Sequence, residues 1–280
     1  MQTAIGALIL AAIAIFGLHM IAGARSRGKA LFLAEQLASS PAGLDVSGTL
    51  PPLIRSFAQR AGVGDGPCTH MATFTQSGRF RRARGGRFIP FMAHQVVATG
   101  APGFLWQARM RSGPLVLRVI DALVGGNGVL EVWLFGSLTV AKATGAEATL
   151  AEAYRYLAEL PWAPDAMVCN PQLVWRVDTS NEAEVYIDTK AGRATVQFSF
   201  DAAGDIVGIR AKGRPARDSQ NRPVRYDWQG RFGDYVQIGP RRVPRHAEIG
   251  YLYPSGYEPY FECEITGYEI SDKPVPQAAV

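Results

Sequence analysis

The chain has 280 residues, of which 48 % are hydrophobic and 19 % charged, enough apolar material for a real core in one large domain or two modest ones. Its formal net charge of +5 comes from scattered arginines with no accompanying nucleic-acid motif, which argues against a nucleic-acid partner. The three cysteines, Cys68, Cys169 and Cys263, lack CxxC spacing and exclude a dense disulfide framework or a zinc ribbon.

Ala4 to Ala24 contains no Asp, Glu, Lys or Arg. At about 1.5 Å per residue a helix of this length crosses a bilayer core of about 30 Å. A cleaved signal would have a shorter apolar region preceded by positive charge, and a buried core helix would carry a polar face. Residues 1–28 are therefore expected to be a transmembrane anchor. Arg25, Arg27 and Lys29 follow the run and nothing charged precedes it except the terminal amine, so the positive-inside rule puts the main domain in the cytoplasm.

Residues 29–50 read as a helix (KALFLAEQLASS) and a small-residue linker, and PLIRSFAQRAG begins the main domain, 51–270, as a short helix. From Thr69 the segments THMATFTQSGRF, RFIPFMAHQVVA, GFLWQARMR, PLVLRVIDALV and GVLEVWLFGSLTVA read as five strands, with a turn at Gly125-Gly126-Asn127-Gly128. Thr149 is the expected cap of a helix, LAEAYRYLAEL, with Leu150, Ala153, Tyr154, Leu157 and Leu160 on its buried stripe and Pro161 at its end. Seven more strands follow, from LVWRVD to YEPYFECEITGYEI, and the tail 271–280 reads as disordered. The pattern gives a mainly β (α+β) fold: a large curved antiparallel sheet or half-open barrel with a central helix, plus the N-terminal transmembrane helix. No βαβ alternation supports a doubly wound fold.

The segments QSGRFR, RFIPFMAHQ, PGFLWQARM, VIDALVGGNGVL, AEAYRYLAELPWAPDAM, FSFDAAGDI and GYLYPSGYEPYFECEI occur in this order. Together they resemble an uncharacterised bacterial family of unknown function, over roughly residues 50–270. More distantly the strand pattern looks like the lipoprotein-carrier fold, a half-open sheet wrapped over helices that holds acyl chains. The chain departs from soluble carriers in its apolar N-terminus and its long second strand group. The resemblance implies a fold and no activity.

Chemistry is harder to locate. His70, His94 and His246 lack metal-ligand spacing, no phosphate-binding loop or nucleophile elbow precedes a helix, and neither a metal, a cofactor nor a catalytic set is expected. Asp121 falls in an apolar strand, where a buried acid requires a partner, and Arg155 on the central helix is the expected one, as a structural or functional ion pair. The strands carry many aromatics, and Phe91, Phe104, Trp106, Trp133 and Trp175 are the expected lining for a ligand. Three buried free thiols are the plainer expectation, with one disulfide and an orphan left open, and the former leans towards a reducing compartment. The functional expectation is a membrane-anchored protein that binds a lipid or other hydrophobic small molecule in its sheet. An envelope scaffold or protein-interaction domain is the alternative and an unrecognised enzyme the third; the sequence names no protein partner.

Overall fold

The computed structural model describes residues 25–271, apart from 65, 219 and 221. The apolar run 4–24 and the tail beyond 271 lie outside the described residues, and among those described no helix is long and apolar enough to cross a membrane.

Thirteen strands form one sheet. The first group is β1 (Met71–Phe80), β2 (Ile89–Ala98), β3 (Phe104–Ser112), β4 (Leu115–Val124), β5 (Asn127–Leu134) and β6 (Leu138–Thr144). The second is β7 (Val174–Thr179), β8 (Glu182–Thr189), β9 (Gly192–Phe200), β10 (Ile206–Arg217), β11 (Pro223–Ile238), β12 (Arg241–Tyr253) and β13 (Gly256–Ser271). Each group is an antiparallel meander, and the last strand pairs with the first, giving the order β6-β5-β4-β3-β2-β1-β13-β12-β11-β10-β9-β8-β7. Two wings thus meet at a central β1–β13 seam and curl into a half-barrel.

Helices cover both faces. The helical residues 25–38 (α1) lie on the convex face, where Leu33 and Leu37 pack with Val96, Leu105, Ile120 and Trp133. α2 (Pro52–Arg60) and α4 (Pro164–Cys169) pack together at one end, while α3 (Ala146–Ala158) lies between the wings, touching β4–β6 on one side and β8–β10 on the other. The chain has to pass from outer edge β6 to outer edge β7, and α3 is that crossing. The close fit has a local cause at Gly128, where a Cβ would stand 2.6 Å from the Ala148 and Thr149 backbone.

Four sequence expectations are corrected. GVLEVWLFGSLTVA is two strands, because Phe135 and Gly136 both take positive φ (53° and 72°) and reverse the chain. The helix begins at Ala146, and Thr149 caps nothing: its hydroxyl instead accepts a hydrogen bond from the Gly128 N–H at 2.9 Å, tying the helix to β5. Cys68 and Cys169 form a disulfide, with Cα atoms 5.7 Å apart, and Cys263 is the buried free thiol. The helix ends at Ala158, before Pro161, which lies instead inside a 3-10 turn, Leu160–Trp162, leading into α4; the spacing announced neither.

That end of the molecule is locked by charge as well as by sulfur. The Arg241 guanidinium holds the buried Asp165 carboxylate through two bonds of 2.6 and 2.8 Å, joining α4 to β12. Arg242 grips Asp205 in the same way, both bonds 2.7 Å. Asp165→Ala strands a guanidinium that is only 9 % exposed, and is expected to cost about 3–5 kcal/mol in urea unfolding; a loss under about 1 kcal/mol would mark the pair as ornamental. Peptide mapping without reductant is expected to recover Cys68 linked to Cys169, with Cys263 alkylated only after unfolding; free Cys68 would contradict the pairing.

Candidate functional site

Glu152, Arg155 and Glu159 follow one another at spacings of three and four, and so share one face of α3 and its continuation. That face turns into the half-barrel, towards the concave side of the strands. Phe74, Gln95, Trp106 and Asp121 stand directly opposite one another across β1, β2, β3 and β4, so all four side chains project to this side.

Arg155 is the hub. Its Nη1 donates to Asp121 Oδ2 at 2.5 Å and its Nε to Glu159 Oε1 at 2.7 Å, while its guanidinium lies 4.9 Å from both the Phe104 and Trp106 ring centres. The side chains of Arg155 and Asp121 are only 12 % and 14 % exposed. Gln95 donates to the second Glu159 oxygen, and Trp106 Nε1 donates to Gln76 Oε1 at 2.7 Å.

A second guanidinium enters from the other wing. Arg214 Nη1 donates to the Tyr251 hydroxyl at 2.5 Å and Nη2 to the Ala151 carbonyl at 3.2 Å, with the Trp228 ring 4.5 Å away. Tyr251 stacks on Tyr260 at 5.1 Å, whose hydroxyl accepts the Trp228 indole N–H at 3.1 Å. Glu152 sits in the field of Asp121, Arg214 and Arg155.

These groups hold one another in defined states. Burial raises the Glu152 pKa, neighbouring Asp121 raises it further, and the two arginines only partly offset this, so Glu152 keeps its proton well above the ordinary carboxylate range. Burial opposes the Arg155 charge, but Glu159 and Asp121 outweigh it and raise its pKa. The same opposition is overcome at Arg214 by Tyr251 and Tyr260, then by the two acids. With Glu152 neutral, two guanidiniums face the two carboxylates of Asp121 and Glu159. The charges balance.

The hydrogen bonds do not. Among the described residues Gln76 Nε2, Gln95 Oε1 and Arg214 Nε are buried without a partner, whereas the protonated Glu152 shares a side-chain hydrogen bond with Asp121. Such atoms cost about 1–3 kcal/mol each and are rare in cores built for packing alone. Around them stands a wall of rings: Phe91 against Phe261 at 5.2 Å and Trp106 at 5.6 Å, Phe80 against Tyr260 at 5.9 Å, and Tyr226 against Tyr253 at 4.9 Å. Phe80, Tyr226, Tyr251, Tyr253, Tyr260 and Phe261 are half-buried, so the wall is reachable from the end where the β1–β2 and β12–β13 turns lie.

Of the residues singled out from sequence, Phe91, Phe104, Trp106, Asp121 and Arg155 come together on this concave side. Trp133 lies on the convex face under α1, and Trp175 lies on β7 in the other wing, 6.0 Å from Phe198. His94 is one residue out of step with Gln95 and faces away from Asp121. Arg214, Gln76, Gln95, Tyr226 and Tyr251 were not anticipated. Arg214 escaped for a specific reason: Ile209 and Ala211 point inward, so simple alternation turns Arg214 outward. A register shift between Ala211 and Arg214, with Gly213 at φ 58°, brings it back inside.

Residues 42–263 match the model of a family described as "Family of unknown function (DUF6544)". No curated protein matches the chain. Among solved structures it is similar to a LolA superfamily protein from Nitrosomonas europaea, at 8 % identity and TM-score 0.40 over 79 % of this chain and 94 % of that one. It is also similar to a domain named for outer membrane lipoprotein sorting from Vibrio parahaemolyticus, at 8 % identity and TM-score 0.45 over 80 % and 93 %. A DUF1329 family protein from Desulfovibrio piger matches at 10 % identity and TM-score 0.38 over 78 % and 90 %.

Because Glu152 takes its proton more readily folded than unfolded, its contribution to stability is full below its unfolded pKa of about 4.5 and is lost as pH rises through the raised value. Glu152→Gln keeps the neutral form at every pH. The variant is expected to melt with the parent at about pH 5 and above it at about pH 9. An equal loss at both pH values would contradict a protonated Glu152.

Proposed function

We propose that this chain, which belongs to the DUF6544 family of unknown function, binds an amphipathic molecule with an acidic head and a hydrocarbon tail inside its half-barrel. The observation that carries this reading is the set of unpartnered polar atoms, above all Arg214 Nε and Gln76 Nε2, buried behind a half-buried aromatic wall. An acidic head supplies the acceptors those donors lack, and the rings from Phe80 to Tyr253 supply a surface for the tail. Five ionisable side chains inside a sheet are costly for packing and well suited to recognition. Tethering through residues 4–24 belongs to the same proposal, since it holds the binding domain close to its lipid source. The Cys68–Cys169 disulfide supports an oxidising compartment for the domain, against the cytoplasmic side suggested by counting Lys and Arg.

One observation favours the alternative, a scaffold or interaction domain with no small ligand. A hollow of about 280 Å³ lies at the α2 end, lined by Ser47, Arg55, Gln59, Val63 and Val168, and not against the aromatic wall.

Displacement of a fluorescent fatty acid from the full chain separates the two readings. The parent is expected to bind a long-chain fatty acid more tightly than the matching alcohol. Arg214→Gln, which removes a charge-assisted bond of about 1.5–3 kcal/mol, is expected to weaken the acid about ten- to a hundredfold and leave the alcohol unchanged. No saturable binding, or equal loss for acid and alcohol, would favour the scaffold.

A further inference from the structure

In a sheet whose neighbours are all antiparallel, the turns β1–β2, β3–β4, β5–β6, β8–β9, β10–β11 and β12–β13 fall at one end. α1 begins at that end too: Ser26 Oγ donates to the Gly136 carbonyl in the β5–β6 turn at 3.0 Å, whereas Leu37 reaches Gly103 at the opposite end. The chain therefore leaves this end at Arg25, after the uncharged run Ala4–Ala24.

The same end carries uncompensated positive charge. On the β12–β13 side the arginines are paired, Arg79 with Glu262 and Arg81 and Arg84 with Glu258. On the α1 side Arg27, Arg109, Arg111 and Arg118, and in the β1–β2 turn Arg82 and Arg87, make no ion pair among the described residues. Arg109 and Arg118 stand directly opposite each other across β3 and β4, a like-charge pair that disfavours the sheet unless an anion lies over it. A hollow of about 20 Å³ opens beside them, lined by Ser26, Arg27, Gln107, Arg118 and Trp133. Burial lowers the Arg118 pKa, and Arg27 and Arg109 lower it further, as expected of crowded guanidiniums without a counter-charge. Between the arginines the turns expose large apolar side chains: Leu115 at 44 %, Phe135 at 43 % and Leu138 at 61 %, with Phe32 of α1 at 52 %.

We propose that this end of the sheet is a docking surface for an anionic phospholipid bilayer, with Arg27, Arg109 and Arg118 receiving lipid phosphates and Phe135 and Leu138 entering the acyl boundary. The proposal is independent of what the half-barrel binds. Charge complementarity fits any polyanion. Leucine and phenylalanine at the turn tips, beside the point where an apolar segment of the chain begins, fit a bilayer and have no place against nucleic acid. Docking in this pose also sets the open side of the aromatic wall against the lipid.

A nitroxide attached through Leu138→Cys, with a second placed separately through Ala202→Cys in the turn at the opposite end, reads the pose in the full chain. Cys263 is buried and the other two cysteines are paired, so the introduced thiol is the one labelled. The chain is mixed with nanodiscs of phosphatidylcholine alone or with phosphatidylglycerol, and oxygen against a water-soluble nickel chelate measures depth. The Leu138 label is expected to become oxygen-accessible in the anionic discs only, and the Ala202 label to stay aqueous in both. Each arginine at a lipid surface contributes about a fivefold preference. Arg27→Glu/Arg109→Glu/Arg118→Glu is therefore expected to reduce the docked population on the order of a hundredfold. The conservative pair Arg82→Gln/Arg111→Gln, at exposed positions, gives a smaller loss in the same direction if the triple variant fails to fold. A Leu138 label that stays aqueous in anionic discs, or an Ala202 label that enters them, overturns the proposal. So does docking that survives charge removal, or that is displaced by nucleic acid in preference to lipid.

Discussion

The Arg155 guanidinium is the point on which the interior depends. It lies between two carboxyl groups and two aromatic rings on the concave side of the half-barrel. Once that charge is inside, its neighbours are constrained. Asp121 has to point inward from β4, Glu159 has to follow one turn later on the helix, and Gln95 has to hold the far oxygen of Glu159. α3 is fixed in rotation and in depth by this set. An apolar helix would slide between two greasy wings with little to choose among positions; a charged face cannot, because each displaced guanidinium would lose its partners in a medium that does not replace them.

The topology explains why a helix is there at all. Two meanders paired through their first and last strands leave their outer edges far apart, and the link between those edges has to cross the concave side. α3, the 3-10 turn and α4 make that crossing, and the Asp165–Arg241 clamp and the disulfide secure its end. Function, on this view, concentrates where the clamp is absent: at the opposite end, where the rings are half-buried and the arginines on the α1 side lack carboxylates.

Much of the fold was legible: apolar patterning marks twelve strand segments, five before the helix and seven after it, where the structure has thirteen strands among the described residues. The β5–β6 hairpin was not, since Phe135 occupies a positive-φ turn position that ordinarily announces itself with Asn or Gly. Asp121 and Arg155 stood out as charges in apolar surroundings, and this is the one signal of the site that a single sequence carries. Gln76, Gln95 and Tyr251 did not stand out, because an inward polar residue in a strand looks like an outward one until register is known. Arg214 was hidden by a bulge. Trp133 and Trp175 show the converse: aromatic content located a core, while the face each ring occupies depended on where α1 and the second wing lie. Arg25, Arg27 and Lys29 read from sequence as an orientation signal, yet they adjoin a cationic end of the fold with its own reason to be basic.

The account rests on α3 being held by its buried charges, and a double-mutant cycle on Asp121→Leu and Arg155→Met, followed by urea unfolding, tests it most directly. Each single substitution breaks the buried Asp121–Arg155 ion pair and should cost about 3–5 kcal/mol. The double variant should cost about 3 kcal/mol less than their sum. Additive losses would mean that the two residues do not depend on each other, and that something else holds the helix.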